Sequence, residues 1–288
     1  MSRLLLALCL AACAAPSPAA GPARVDGERS RTAPPAKLAW RDPAFDAPMA
    51  TRVRYPEVPL ARLVALDDAN RARDPRRPAP LQIGVGRAAP AGTAAALDLQ
   101  WRLVPGGRVA HFEVTSPVAM GLRVGLSLHG LPASAELRIR GSELPLGDIV
   151  RVPAAEALRA LDPKGLYWTP ATDGETQAVE VFVPTGADAS ALRVAAPELV
   201  HLVTNGRRDF KILEKIGESG TCNVDTACRA GELGVGFVEA KDAVAHMVFN
   251  LYRSDGSTYG TYICTGTLLN DTDPATQVPY FYSARHCF

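Results

Sequence analysis

Between Leu97 and Pro184 the chain keeps returning to one pattern, a short run of strand-forming residues followed by a turn signal. "LDLQWRLV" and "RVAHFEVTS" flank "PGG", "GLRVGLSLHG" and "AELRIRGS" flank "LPAS", and "TQAVEVFVP" follows "TDGE". β-Branched and aromatic residues suit a pleated surface and Gly and Pro supply the turns, so this spacing predicts an all-β unit of sandwich type. Only "PAAEALRAL", Pro153 to Leu161, reads as helical. Side chains alternate across a strand, which puts Ala110, Phe112 and Val114 on one face and Val109, His111, Glu113 and Thr115 on the other. His111 is therefore expected on the solvent face. Trp101, Tyr167 and Trp168 have surface enough to line a groove, but aromatics in short strands mostly fill cores, and that is the expectation for them.

Composition narrows the partners. Lys and Arg (31) nearly balance Asp and Glu (30), and the charges are interspersed, which argues against a nucleic-acid footprint. With 288 residues, 47% of them hydrophobic, there is material for cores in two domains. The first residues carry Arg3, an apolar run from Leu4 to Leu10 and then small residues, the layout of a bacterial export signal cut near Ala15 or Ala20. About 20 apolar residues are needed to span a bilayer, and Pro16 and Pro18 interrupt well before that. "LAAC", Leu10 to Cys13, also resembles a lipoprotein box in which Cys13 becomes a lipid-bearing terminus. The chain is thus expected outside the cytoplasm, secreted, with a membrane as partner only if Cys13 is lipidated.

The other cysteines that matter, Cys222, Cys228, Cys264 and Cys287, all lie in the last quarter of the chain, and that asymmetry marks a boundary. Export makes disulfides the default, and no C-x-x-C pair or His-rich spacing argues for zinc, so neither metal nor cofactor is expected. Gly21 to Ala50, rich in Ala, Pro and Arg without period, reads as loosely ordered. After His201 the polar, basic stretch "TNGRRDFKILEKIGESG" reads as a linker, open to proteases at Arg207, Arg208, Lys211 and Lys215. Beyond it, "AVAHMVFNLY" and "TYGTYICTGTLL" joined by "SDGST" predict a hairpin, and "VPYFYSA" a further strand leading to His286. His246 is expected at a strand surface, and His129 and His201 have no acid or nucleophile placed near them by sequence.

This tail resembles the start of the trypsin-like serine endopeptidases of the bacterial lysyl endopeptidase type. The likeness rests on Cys222, Cys228, "CTGTLLN" from Cys264 to Asn270, and "SARHC" from Ser283 to Cys287. The preceding sandwich, through "YWTPATDGE" and "PELVHL", is similar to the pro-region of such enzymes. The resemblance implies a β-sandwich pro-domain followed by the incomplete first β-barrel of a trypsin-like double barrel. It implies that His286 is the general base of a Ser-His-Asp triad, since an imidazole near neutral pH can take a serine proton and return it to the leaving amine. It implies a Cys264–Cys287 bridge, with Cys222 and Cys228 unpaired in this chain, release of the mature enzyme at Lys215 to start at Ile216 or Gly217, and cleavage of protein or peptide substrates after Lys or Arg.

The resulting map is an export signal over 1–20, a disordered segment over 21–51, the pro-domain over 52–203, a processing linker over 204–216 and the start of the protease domain over 217–288, in a monomer. In trypsin-like enzymes the triad runs His, Asp, Ser along the chain, so a sequence closing just after His286 is expected to be an inactive fragment of the precursor. The order Ser, Asp, His would need a G-x-S-x-G elbow, and the nearest string, "GESG", does not supply one. The competing reading is an exported β-sandwich module that binds or inhibits a protease and carries a vestigial tail.

Overall fold

Alternation along the longest strands sorts the chain into apolar and polar faces, and the computed structural model shows the apolar faces of two sheets meeting in one core. It describes residues 37–43, 51–74, 76–90, 96–143, 149–206, 224, 226–269, 276 and 278–287. In chain order the elements are β1 (Thr51–Arg54), α1 (Leu60–Arg71), β2 (Leu81–Ala88), β3 (Arg102–Val104), β4 (Gly107–Thr115), β5 (Gly121–His129), β6 (Glu136–Gly141) and β7 (Val150–Pro153). There follow α2 (Ala154–Arg159), β8 (Leu166–Trp168), β9 (Thr172–Asp173), β10 (Thr176–Pro184), β11 (Arg193–Leu202), α3 (Thr226–Asp242), β12 (Val244–Tyr252), β13 (Thr258–Leu269) and β14 (Tyr280–Ser283).

The first sheet runs β1-β4-β10-β6-β7, with β3 beside β4. The second runs β12-β13-β2-β11-β5-β8, with β14 beside β13 and β9 beside β5. Phe112 and Val114 of β4 and Val179, Val181 and Val183 of β10 face Leu122, Val124, Leu126 and Leu128 of β5 across the main core. Tyr167 belongs to that core and Trp101 packs against it, while Trp168 joins a smaller cluster and donates its indole N–H to Asp162 (2.9 Å). The aromatics fill cores, as the strand pattern implied.

One expectation fails for a physical reason. His111 does point away from the core, but that face is covered. Residues 37–43, within the stretch read as loosely ordered, lie along it: the backbone N–H groups of Arg41 and Asp42 donate to Glu180, and Trp40 meets the His111 ring edge-to-face. His111 Nε2 donates to the fully buried Glu180 at 2.9 Å, so it is a largely covered partner of a carboxylate and not a solvent-face residue. Beside it Glu136 collects Arg41, Arg138 and Arg151. Burial raises the Glu136 pKa, but hydrogen bonds from Arg151 and Arg138 and the Arg41 charge outweigh it and hold the carboxyl below its usual range.

Helix content also exceeds the single helix expected. α1 escaped the periodicity test because only Leu63 and Leu66 mark its inward face, the other buried positions being Asp67 and Asn70. Asn70 takes the place of an apolar contact by clamping β2, donating to the Gln82 carbonyl (2.8 Å) and accepting from the Gln82 N–H (3.1 Å). α3 contains Gly231, Gly234 and Gly236, poor helix formers, and is kinked at Gly234, whose φ of 76° suits glycine. Among the described residues no helix is long and apolar enough to cross a membrane.

Candidate active site

β12 and β13 form the expected hairpin, with β13 the longer strand, and its two halves have different partners. Gly260 to Ile263 pair with β2, and Gly266 to Leu269 pair with β14. Cys264 sits between the two stretches. Its sulfur is joined to Cys287, across a Cα–Cα distance of 6.0 Å.

The corner that carries His286 is built from that bridge outward. β14 runs antiparallel to β13 from Tyr280 opposite Leu269 to Ser283 opposite Gly266. The Phe281 ring lies over Gly266, where a Cβ would stand 2.2 Å from it, so a larger residue in "CTGT" would have to displace that ring. The Ser283 hydroxyl then donates to the Thr265 carbonyl (2.7 Å), and a 3-10 turn, Arg285–Cys287, closes with the Cys287 N–H on the Ala284 carbonyl (3.0 Å). Cys287 is buried and His286, one residue before it, is at the surface. A short turn pinned at its end by a covalent bond fixes the backbone under the imidazole and leaves the ring open to solvent. That is what a general base needs: a held position and access to a substrate proton.

The ligand atoms of His286, Cys264 and Cys287 lie within 4.8 Å of one another. Thiolates are the metal-binding form of cysteine, and here both sulfurs are committed to the bridge, so the trio is a histidine beside a disulfide. Cys228 is exposed and has no disulfide partner among the described residues. Cys13, Lys215 and Cys222 lie outside the described residues.

Another serine–histidine contact exists, which sequence spacing did not suggest. Arg87 donates to the Ser116 hydroxyl (2.9 Å), which in turn lies 2.9 Å from His201 Nδ1. The hydroxyl keeps a second lone pair, so the His201 tautomer sets which of the two donates, and the alignment is superficially like a nucleophile and its base. Ser116 and His201 are buried, 0% and 1% exposed, and no peptide can reach them. This chain of hydrogen bonds ties β2, β11 and the end of β4 together. His286 alone combines a fixed turn with an open ring, and among the described residues it has no hydrogen-bonded carboxylate or serine.

Comparison with known proteins places both halves. The family model described as the lysyl endopeptidase N-terminal domain matches residues 54–203, and the model of the lysyl endopeptidase C-terminal domain matches residues 216–288. A lysyl endopeptidase of Pseudomonas aeruginosa is 32% identical over 253 residues, covering 84% of this chain and 48% of the relative. The chain thus spans about half the length of that curated relative. No solved structure gives a significant match.

Proposed function

The chain belongs to the lysyl endopeptidase family, and from that membership we propose that it is the precursor part of an exported serine endopeptidase, with His286 as the general base. The observation that carries this reading is the bridged corner, in which Cys264 and Cys287 anchor a turn that presents an open imidazole. In the reaction His286 takes the proton of a serine hydroxyl as it attacks the scissile carbonyl, then returns it to the departing amine. The serine and the carboxylate that orients the ring belong, on this reading, to the part of the relative's length that this chain does not span. Specificity for Lys or Arg is proposed from the family likeness, with release after Lys215 and export directed by the apolar run Leu4 to Leu10.

Two measurements test it. In a protein extended to the full length of the relative, His286→Ala should lower kcat on a lysyl peptide ester by about 10⁴-fold or more, because loss of one triad member leaves only binding and oxyanion stabilisation. Residues 1–288 by themselves should turn over the same ester no faster than their His286→Ala variant. Activity of the extended enzyme that survives the substitution would end the assignment.

A further inference from the structure

Strand β2 lies in the sandwich and β13 in the tail, yet the two are neighbours in one sheet. Gly260 pairs with Val85, Thr261 with Gly84, Tyr262 with Gln82 and Ile263 with Leu81. The contact has three features that a chance meeting of edges lacks. First, glycines are placed where the backbones come closest. A Cβ on Gly86 would stand 2.0 Å from the Thr258 carbonyl oxygen, and one on Gly260 would stand 2.2 Å from the Gly84 oxygen. The three atoms nearest such a Cβ on Gly86 all belong to Thr258 and Tyr259, so the absence of a side chain there makes room for the hairpin.

Second, a carboxylate from the sandwich is aimed into the tail. Ala195 and Glu198 flank a bulge in β11, which contains Pro197, and bulges turn the next side chain out of its regular direction. The Glu198 carboxylate accepts from both the N–H (3.3 Å) and the hydroxyl (2.7 Å) of Thr258 and is paired with Lys164. Nearby, Arg123 of β5 and the Thr261 hydroxyl both donate to Asn250 Oδ1, at 3.0 and 2.7 Å. Third, Val248 and Ile263 of the hairpin pack on Leu81, Ile83, Val200 and Leu202. Backbone pairing, buried charged hydrogen bonds and an apolar patch coincide, and Thr258 and Thr261 are buried as a result.

We propose that the β2 edge, with Gly86 and Glu198, is a docking seam for the hairpin β12–β13, strong enough to hold the tail to the sandwich once the linker between them is cut. The occupant is the hairpin of the same chain, recognised by a strand with glycine at 260 and a threonine at 258 that answers the carboxylate. Because β13 continues from the seam to Cys264, the sandwich holds the strand on which the His286 corner is bridged. The seam rests on sheet geometry, so its failure would leave the catalytic reading untouched.

The test is to place the recognition site of a sequence-specific protease within residues 207–223 of the full chain, cut it, and follow both pieces by size-exclusion chromatography. The two pieces are expected to co-elute. Gly86→Ala should release the tail piece while the sandwich keeps its cooperative melt, and Glu198→Gln should raise the dissociation constant roughly tenfold or more. Separation of the unsubstituted pieces, or precipitation of the tail while the sandwich stays in solution, overturns the proposal, as does co-elution unaffected by Gly86→Ala. If Gly86→Ala costs the sandwich its cooperative melt, Glu198→Gln decides, and an unchanged dissociation constant there overturns it equally.

Discussion

The sandwich and the tail are both made of antiparallel strands, but they bury very different amounts of what they carry. Sandwich strands contribute fully covered residues from two facing sheets, among them Phe112, Leu126, Leu137 and Val179. Among the described residues the tail adds only Cys287 to the buried apolar set, and Tyr280, Phe281 and Tyr282 of β14 are 55%, 43% and 68% exposed. A hairpin has one apolar face and gains little until a second layer covers it. The tail therefore takes its order from β2 through the seam and from its own Cys264–Cys287 bridge, not from a core of its own. The main core of the sandwich contains no residue of the tail.

That asymmetry can be broken in several places. The largest change is expected from Leu126→Ala, which opens a cavity in the main core and should cost about 2–5 kcal/mol. Thermal melts should show the tail losing structure with the sandwich, because its seam goes with β2. Next, replacing Cys264 and Cys287 together by serine should cost roughly 3 kcal/mol for a loop of this length in the chain-entropy model. Hydrogen exchange should place that loss in β14 and the end of β13, with β4 and β10 unaltered. Loss of protection throughout the sandwich would show that the two regions form one unit.

Acid should act on the sandwich through Glu136. Its folded pKa is depressed, so the stabilisation is present above the usual carboxylate value of about 4.3 and is lost as pH falls through the lower folded value. Melting temperature should fall below about pH 4 in the native protein and fall less steeply in Glu136→Gln. The smallest effect is expected at Tyr282→Ala. Removing an aromatic ring from a core is costly, but this one faces solvent and should change stability by no more than about 0.5 kcal/mol. A loss of several kcal/mol would mean the tail has a core of its own.

What could be read in the sequence follows the same division. Local patterns were legible: the alternation of β4 and β10, the hairpin with its "SDGST" turn, and the resemblance that pointed to a bridge beside His286. Contacts between distant segments were not. His111 alternates outward as its strand requires, and only the segment at residues 37–43 decides that outward is not exposed. The half-polar inner face of α1 hid a helix that is held partly through backbone, by Asn70 on Gln82, beside the packing of Leu63 and Leu66 on Val85 and Val203. The seam joins residues about 180 positions apart by number, and no periodicity encodes such a pairing. One signal for it existed, Gly86 inside the strand "LQIGVGRA", since glycine in a strand interior often marks the close approach of another backbone.

The most direct test of the tail's borrowed order is native-state hydrogen exchange resolved along β13. Amides of residues 260–263, beside β2, should open with free energies close to those of β11, and amides of residues 266–269, beside β14, should exchange faster. Exchange at 260–263 as fast as or faster than at 266–269 would contradict the account, because the hairpin would then owe its order to the bridged corner and not to the sandwich.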